Sequence, residues 1–143
     1  MLPALVLLSL VAVPALAGLL AFAIRADGPR RFLLVATALA HGGLTAWAWM
    51  VRPSPILGEW IGLDGPGLFF LAVTSALFLA AAVYGVGFLR REASSAPAGG
   101  HGGGVSAVLG NASEAVFTGC LLLFLATMSL VTLSHHFGLL WVA

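Results

Sequence analysis

Four stretches of this chain are apolar without interruption by any Asp, Glu, Lys or Arg: 2–24, 32–51, 67–89 and 116–133, of 23, 20, 23 and 18 residues. A helix rises 1.5 Å per residue, so about 20 apolar residues cross a hydrocarbon layer of roughly 30 Å. The pattern predicts an all-α integral membrane protein with four transmembrane helices. The apolar stretch 138–143 after the fourth run reads as the start of a fifth. Between the runs lie short polar connections and a Gly/Ala-rich linker, 93–104, flexible by composition.

Composition sharpens this picture. Hydrophobic residues make up 61% of the chain and charged residues 8%, far from the balance of a water-soluble domain. The apolar faces must therefore meet the lipid bilayer or other membrane subunits. With no lysine and six scattered arginines there is no patch for nucleic acid. One cysteine, Cys120, excludes an internal disulfide and cysteine-based metal or iron–sulfur sites. Ala15-Leu16-Ala17 has the form of a signal cleavage site, but no basic residue precedes the apolar run and the run continues to Ile24, so the first helix reads as an uncleaved span.

Charge sets the expected orientation. Arg25, Arg30, Arg31, Arg90 and Arg91 fall in the first and third connections and only Arg52 in the second, and arginine-rich short loops stay in the cytoplasm. This places the N-terminus outside a cytoplasmic (inner) membrane. Trp47, Trp49 and Trp60 then form an outer aromatic belt, with Trp141 on the same side. Asn111-Ala-Ser113 matches a glycosylation pattern but falls on the cytoplasmic side.

Inside the spans, polar and small residues recur at helical spacing. Thr37, His41 and Thr45 form one stripe of the second helix, beside Ala38, Gly42 and Ala46. The third helix carries Ala72, Ala76, Ala80 and Tyr84, flanked by Ala81 and Gly85. Small residues let helices approach closely, so Gly42, Ala76, Ala80 and Gly85 read as packing positions. Pro14 removes a donor within the first helix and crowds the carbonyl of Leu10, which predicts a kink. His41 lies at the middle of its span, where an ionisable group marks a functional candidate by default; the competing reading is a neutral imidazole bonded to a packed neighbour. His41, Thr37 and Thr45 form the candidate intramembrane polar site. His135 and His136 fall at the end of the fourth run, and His101 stands alone in the linker. No catalytic constellation, phosphate loop or metal set is present in the sequence, and no cofactor is expected in this chain.

The order Gly62-Leu-Asp-Gly65, then Tyr84-Gly-Val-Gly-Phe-Leu-Arg90, then Phe124-Leu-Ala-Thr-Met-Ser-Leu-Val-Thr-Leu-Ser-His-His-Phe-Gly-Leu-Leu-Trp-Val-Ala143 resembles the N-terminal region of the antiporter-like proton-translocating subunits. These occur in respiratory NADH:quinone oxidoreductase (complex I), Mrp-type cation/proton antiporters and group 4 hydrogenases. Residues 134–143 are most similar to the hydrogenase-4/formate hydrogenlyase branch. The resemblance runs from about Gly62 onward; the first two helices match it only in length and position. It implies proton transport within an oxidoreductase complex, beside other membrane subunits. In the family a segment like Leu140-Trp-Val-Ala143 leads into a helix with an essential glutamate, and lysines on later helices complete the proton path. Neither is found here, so none of those roles carries over. Asp64 fits the family's loop pattern, but its position before an apolar helix points to a helix-start role. The resemblance implies an N-terminal fragment or split part with a bracing role and no proton-path charges. A complete small scaffold subunit with no transport role is the alternative.

Overall fold

The computed structural model describes the backbone of residues 2–56, 60–95 and 105–135, and side-chain surroundings at 4–56, 60–91 and 114–135. Among the described residues there are four helices: α1 (Leu2–Ala23), α2 (Asp27–Val51), α3 (Gly65–Ser95) and α4 (Val105–Leu133). Each has a segment long and apolar enough to cross a membrane, and the chain is a multi-pass membrane protein. In hydrocarbon every backbone group needs an internal partner, and helices provide one for each. The expected fifth helix at 138–143 lies outside the described residues, as do His101, His136 and Trp141.

Three ends fall elsewhere than the charge-free runs predict. The first connection shrinks because α2 begins at Asp27 and carries Arg30 and Arg31 in its first turns. Asp27 suits a helix N-terminus, and Pro29 is tolerated there because first-turn N–H groups lack helical acceptors. The third connection shrinks from both sides: α3 continues to Ser95, and α4 starts at Val105 and includes Asn111-Ala-Ser113. Charged residues at membrane-helix ends therefore extend the helices instead of forming loops.

Local chemistry fixes the second connection. Arg52 takes a left-handed conformation (φ 45°) and its N–H bonds the Ala48 carbonyl, ending α2 before Pro53. Asp64 starts α3 by accepting the Gly67 N–H at 2.7 Å. A Cβ at position 67 would sit 2.7 Å from that carboxylate and 3.1 Å from the Thr132 carbonyl, so only glycine fits. The connection is clasped to the end of α4. Isolated bridges pair Ile56 with Ile61 and Ile61 with Ser134, and His135 N donates to the Trp60 carbonyl.

The helices pack in chain order around a ring that α4 closes against α1, the most extensive contact in the bundle. A Cβ on Gly18 would meet Leu123 Cγ at 3.0 Å and the Gly119 carbonyl at 3.2 Å, so this contact depends on missing side chains. Two apolar clusters fill the interior. One holds Ala17, Ala21, Leu34, Ala38, Phe78, Ala82, Leu122 and Leu125; the other holds Val6, Leu7, Leu10, Ala48, Leu68, Leu71 and Leu133.

Candidate functional site

Between the two clusters every helix changes character at the same depth: α1 at Pro14, α2 at His41 and Thr45, α3 at Ser75, α4 at Ser129. All five are buried. A polar layer thus divides the core.

His41 is at its centre with 0% exposure. Nδ1 lies 2.9 Å from Ser75 Oγ on α3, and Nε2 lies 2.8 Å from Ser129 Oγ on α4. Thr45 Oγ1 donates to the His41 carbonyl one turn back at 2.9 Å and sits 2.9 Å from Ser75 Oγ. Each serine also reaches a carbonyl of its own helix at 2.8 Å, Ser75 that of Leu71 and Ser129 that of Leu125. The fourth helix enters through its backbone. Pro14 has no N–H for the Leu10 carbonyl, and that carbonyl faces the imidazole. One imidazole on α2 therefore joins α3 and α4, with the Leu10 carbonyl of α1 on its other side. Among the described residues no Asp, Glu, Lys or Arg joins the layer, and no group of three or more potential ligands could hold a metal ion.

Of the predicted polar stripe, His41 and Thr45 share this cluster. Thr37 is buried one turn away but takes no part in these hydrogen bonds. Ser75 and Ser129 escaped the sequence reading. The available signal was one small hydroxyl residue near the middle of each of the last two apolar runs, at the depth of His41.

The small-residue positions divide. Gly85 is buried, with Phe117 Cε1 3.5 Å from where its Cβ would be. Ala76, Ala80 and Tyr84 are exposed, so no helix of this chain covers them. The inward face of α3 is Leu68, Leu71, Ser75, Phe78, Ala82 and Leu89. Gly42 and Ala76 instead line an open groove of about 550 Å³ between α2 and α3, whose floor includes Thr45 and Ser75.

A second polar assembly closes the other end of the core, by the α1–α2 connection. Arg31 meets Glu114 two-pronged: Nε to Oε1 at 2.8 Å, Nη2 to Oε2 at 2.9 Å. Nη2 also lies 3.4 Å from the Leu89 carbonyl of α3. Arg31 and Glu114 side chains are 14% and 9% exposed, so three helices are tied by a pair largely out of solvent. Beside it Arg30 is buried, bonded to Asp27 at 3.3 Å and to the Ile24 carbonyl just past α1, where a cation complements the helix dipole. His135, by contrast, is exposed at the opposite end against Gly62, where a Cβ would come within 2.8 Å of its ring.

No protein-family model matches the chain, nor does any curated protein or solved structure.

Proposed function

We propose that this chain is a bracing membrane part of an antiporter-like proton-translocating subunit, within an NADH:quinone oxidoreductase or group 4 hydrogenase-type complex. The observation that carries the bracing role is the His41 layer: a wholly buried imidazole with a hydroxyl from a different helix at each ring nitrogen. These groups hold helices together and form no continuous route between the two membrane faces. The sequence resemblance from Gly62 onward supplies the kind of assembly. The N-terminus lies outside, and the end bearing Arg25, Arg30, Arg31, Arg90 and Arg91 faces the cytoplasm. The redox cofactors and the charged proton path belong to partner subunits.

Two measurements test this. Cysteines at Gly28 and Gly102 in a Cys120→Ala background resist an impermeant thiol reagent in intact cells; labelling of both overturns the orientation. Liposomes carrying the chain alone hold an imposed pH gradient like empty ones, because ion passage needs ionisable or water-lined groups across the hydrocarbon. Saturable proton flux from the chain alone overturns the bracing role. The ring closed by α1 against α4 also favours a second reading, a self-contained accessory subunit with no transport role. Co-purification separates the two: the first requires an antiporter-like partner bearing the later charged helices, the second does not.

A further inference from the structure

The end of the bundle at the α1–α2 connection carries a surplus of positive charge. Arg25, Arg30, Arg31, Arg90 and Arg91 stand there against Asp27, Glu92 and Glu114, an excess of two. Two of these acids are already engaged by arginines that lie largely out of solvent. Asp27 is bonded to Arg30, and Glu114 takes both prongs of Arg31. The side chains of Arg25, Arg90 and Arg91 are exposed.

The two buried arginines also fix where two of the exposed ones stand. Arg30 reaches the Ile24 carbonyl, one residue before Arg25. Nη2 of Arg31 lies 3.4 Å from the Leu89 carbonyl, one residue before Arg90. In the ring, α1 and α3 flank α2. Arg25 and Arg90 therefore border the first turns of α2 from opposite sides. The outer face of α2 between them begins with Gly28 and Pro29, both exposed. Deeper on the same stripe, Phe32 and Leu39 are 76% and 58% exposed. Within a few turns of helix the surface passes from guanidinium to hydrocarbon, the order in which a phospholipid passes from headgroup to acyl chain.

We propose that this face of α2 binds an anionic phospholipid, with its headgroup phosphate between Arg25 and Arg90 and an acyl chain along Phe32 and Leu39. Guanidinium and phosphate meet in charge-assisted, often two-pronged hydrogen bonds. A zwitterionic headgroup brings its own cation into a region already in positive excess; an anionic one does not, and this sets the preference. A soluble anion finds the arginines but gains nothing from Phe32 and Leu39. The site goes beyond the bracing role and stands whether or not that role holds. With the orientation proposed above, the lipid belongs to the cytoplasmic leaflet.

The test reconstitutes the full chain in vesicles of equal parts phosphatidylglycerol and phosphatidylcholine and reads the lipids it retains by native mass spectrometry. The chain is expected to keep phosphatidylglycerol severalfold over phosphatidylcholine. Arg25→Gln with Arg90→Gln abolishes the preference, and Arg25→Gln alone lowers it, so the result does not depend on the double variant folding. Arg25→Lys with Arg90→Lys keeps most of it, and Arg52→Gln at the opposite end leaves it unchanged. Equal retention of the two lipids overturns the proposal, as does a preference that survives the double Gln change or falls with Arg52→Gln. Displacement of the lipid by glycerol phosphate, which shares the headgroup and lacks the chains, also overturns it. None of these readings depends on partner subunits or on which way the chain faces, so the site and the bracing role fail separately.

Discussion

The bundle is held by two polar assemblies of opposite kind. At mid-depth, the His41 layer among the described residues is built from an imidazole, hydroxyls and carbonyls, with no carboxylate or guanidinium. At the end nearest the α1–α2 connection, Arg31 and Glu114 form a charged pair with a carbonyl beside it. Depth explains the contrast: an unpaired charge at the bilayer centre is expensive, while near the interface a charge held against its opposite is tolerated. The two also differ in what happens when a member is lost. Ser75 and Ser129 each have a carbonyl of their own helix to fall back on. Among the described residues, Arg31 falls back on the more distant Leu89 carbonyl and on the charge of Asp27 one turn away, with no second bidentate partner. Neutral hydroxyl networks in helices lose members gradually; ion pairs do not.

The strongest way to break this comparison is at the charged end. Glu114→Ala should cost about 3 kcal/mol in a reversible detergent-unfolding assay, because it strands a largely buried cation. The double change Arg31→Met with Glu114→Leu should recover most of that loss. Equal losses in the single and double variants would show that the pair itself contributes little beyond its neighbours. Second comes the tight seam between the assemblies. Gly18→Val should push α1 from α4 and cost about 2 kcal/mol, read by the same unfolding curve, since the Gly119 carbonyl cannot give way as a side chain can. The neutral layer ranks third. His41→Leu should cost about 1 kcal/mol, with His41→Asn or His41→Gln milder. A His41→Leu loss as large as that of Glu114→Ala would erase the distinction drawn above. The smallest effect has the opposite sign. Thr118 is wholly buried and its hydroxyl finds no partner among the described residues. Thr118→Val should therefore raise stability by roughly 0.5 kcal/mol, seen as a small upward shift of the unfolding midpoint.

The spans were legible because hydrocarbon tolerates so few residue types that a run without charge is nearly a structure in itself. The mid-span depth of His41 was legible for the same reason. Its partners were not. Whether Ser75 or Ser129 meets the ring depends on the rotation of α3 and α4 about their axes, and a hydroxyl among Ala and Leu carries little signal of which way it faces. The apolar moment that orients a helix in water is absent when both faces are apolar. Hence Ala76 and Ala80, packing positions by spacing, lie on the outside of this bundle, while Gly18 and Gly119, not singled out, form its tightest helix–helix seam. Arg31 and Glu114 were missed because each stands at the edge of a charge-free run, where a loop and a helix end look alike.

The closure of α4 against α1 has a consequence for the order in which the protein comes into being. The first helix enters the membrane early, yet its most extensive neighbour ends at Leu133, about a hundred residues later. At ordinary ribosomal speeds α1 waits roughly 5–20 s for that neighbour. Through that interval the Leu10 carbonyl already stands without its helical donor, and the glycine face of Gly18 is bare. The clasp of Ile61 on Ser134 is delayed for the same reason. A newborn chain halted before α4 is thus a membrane protein with an open flank, the form most exposed to quality-control proteases and most in need of an insertase that holds helices side by side.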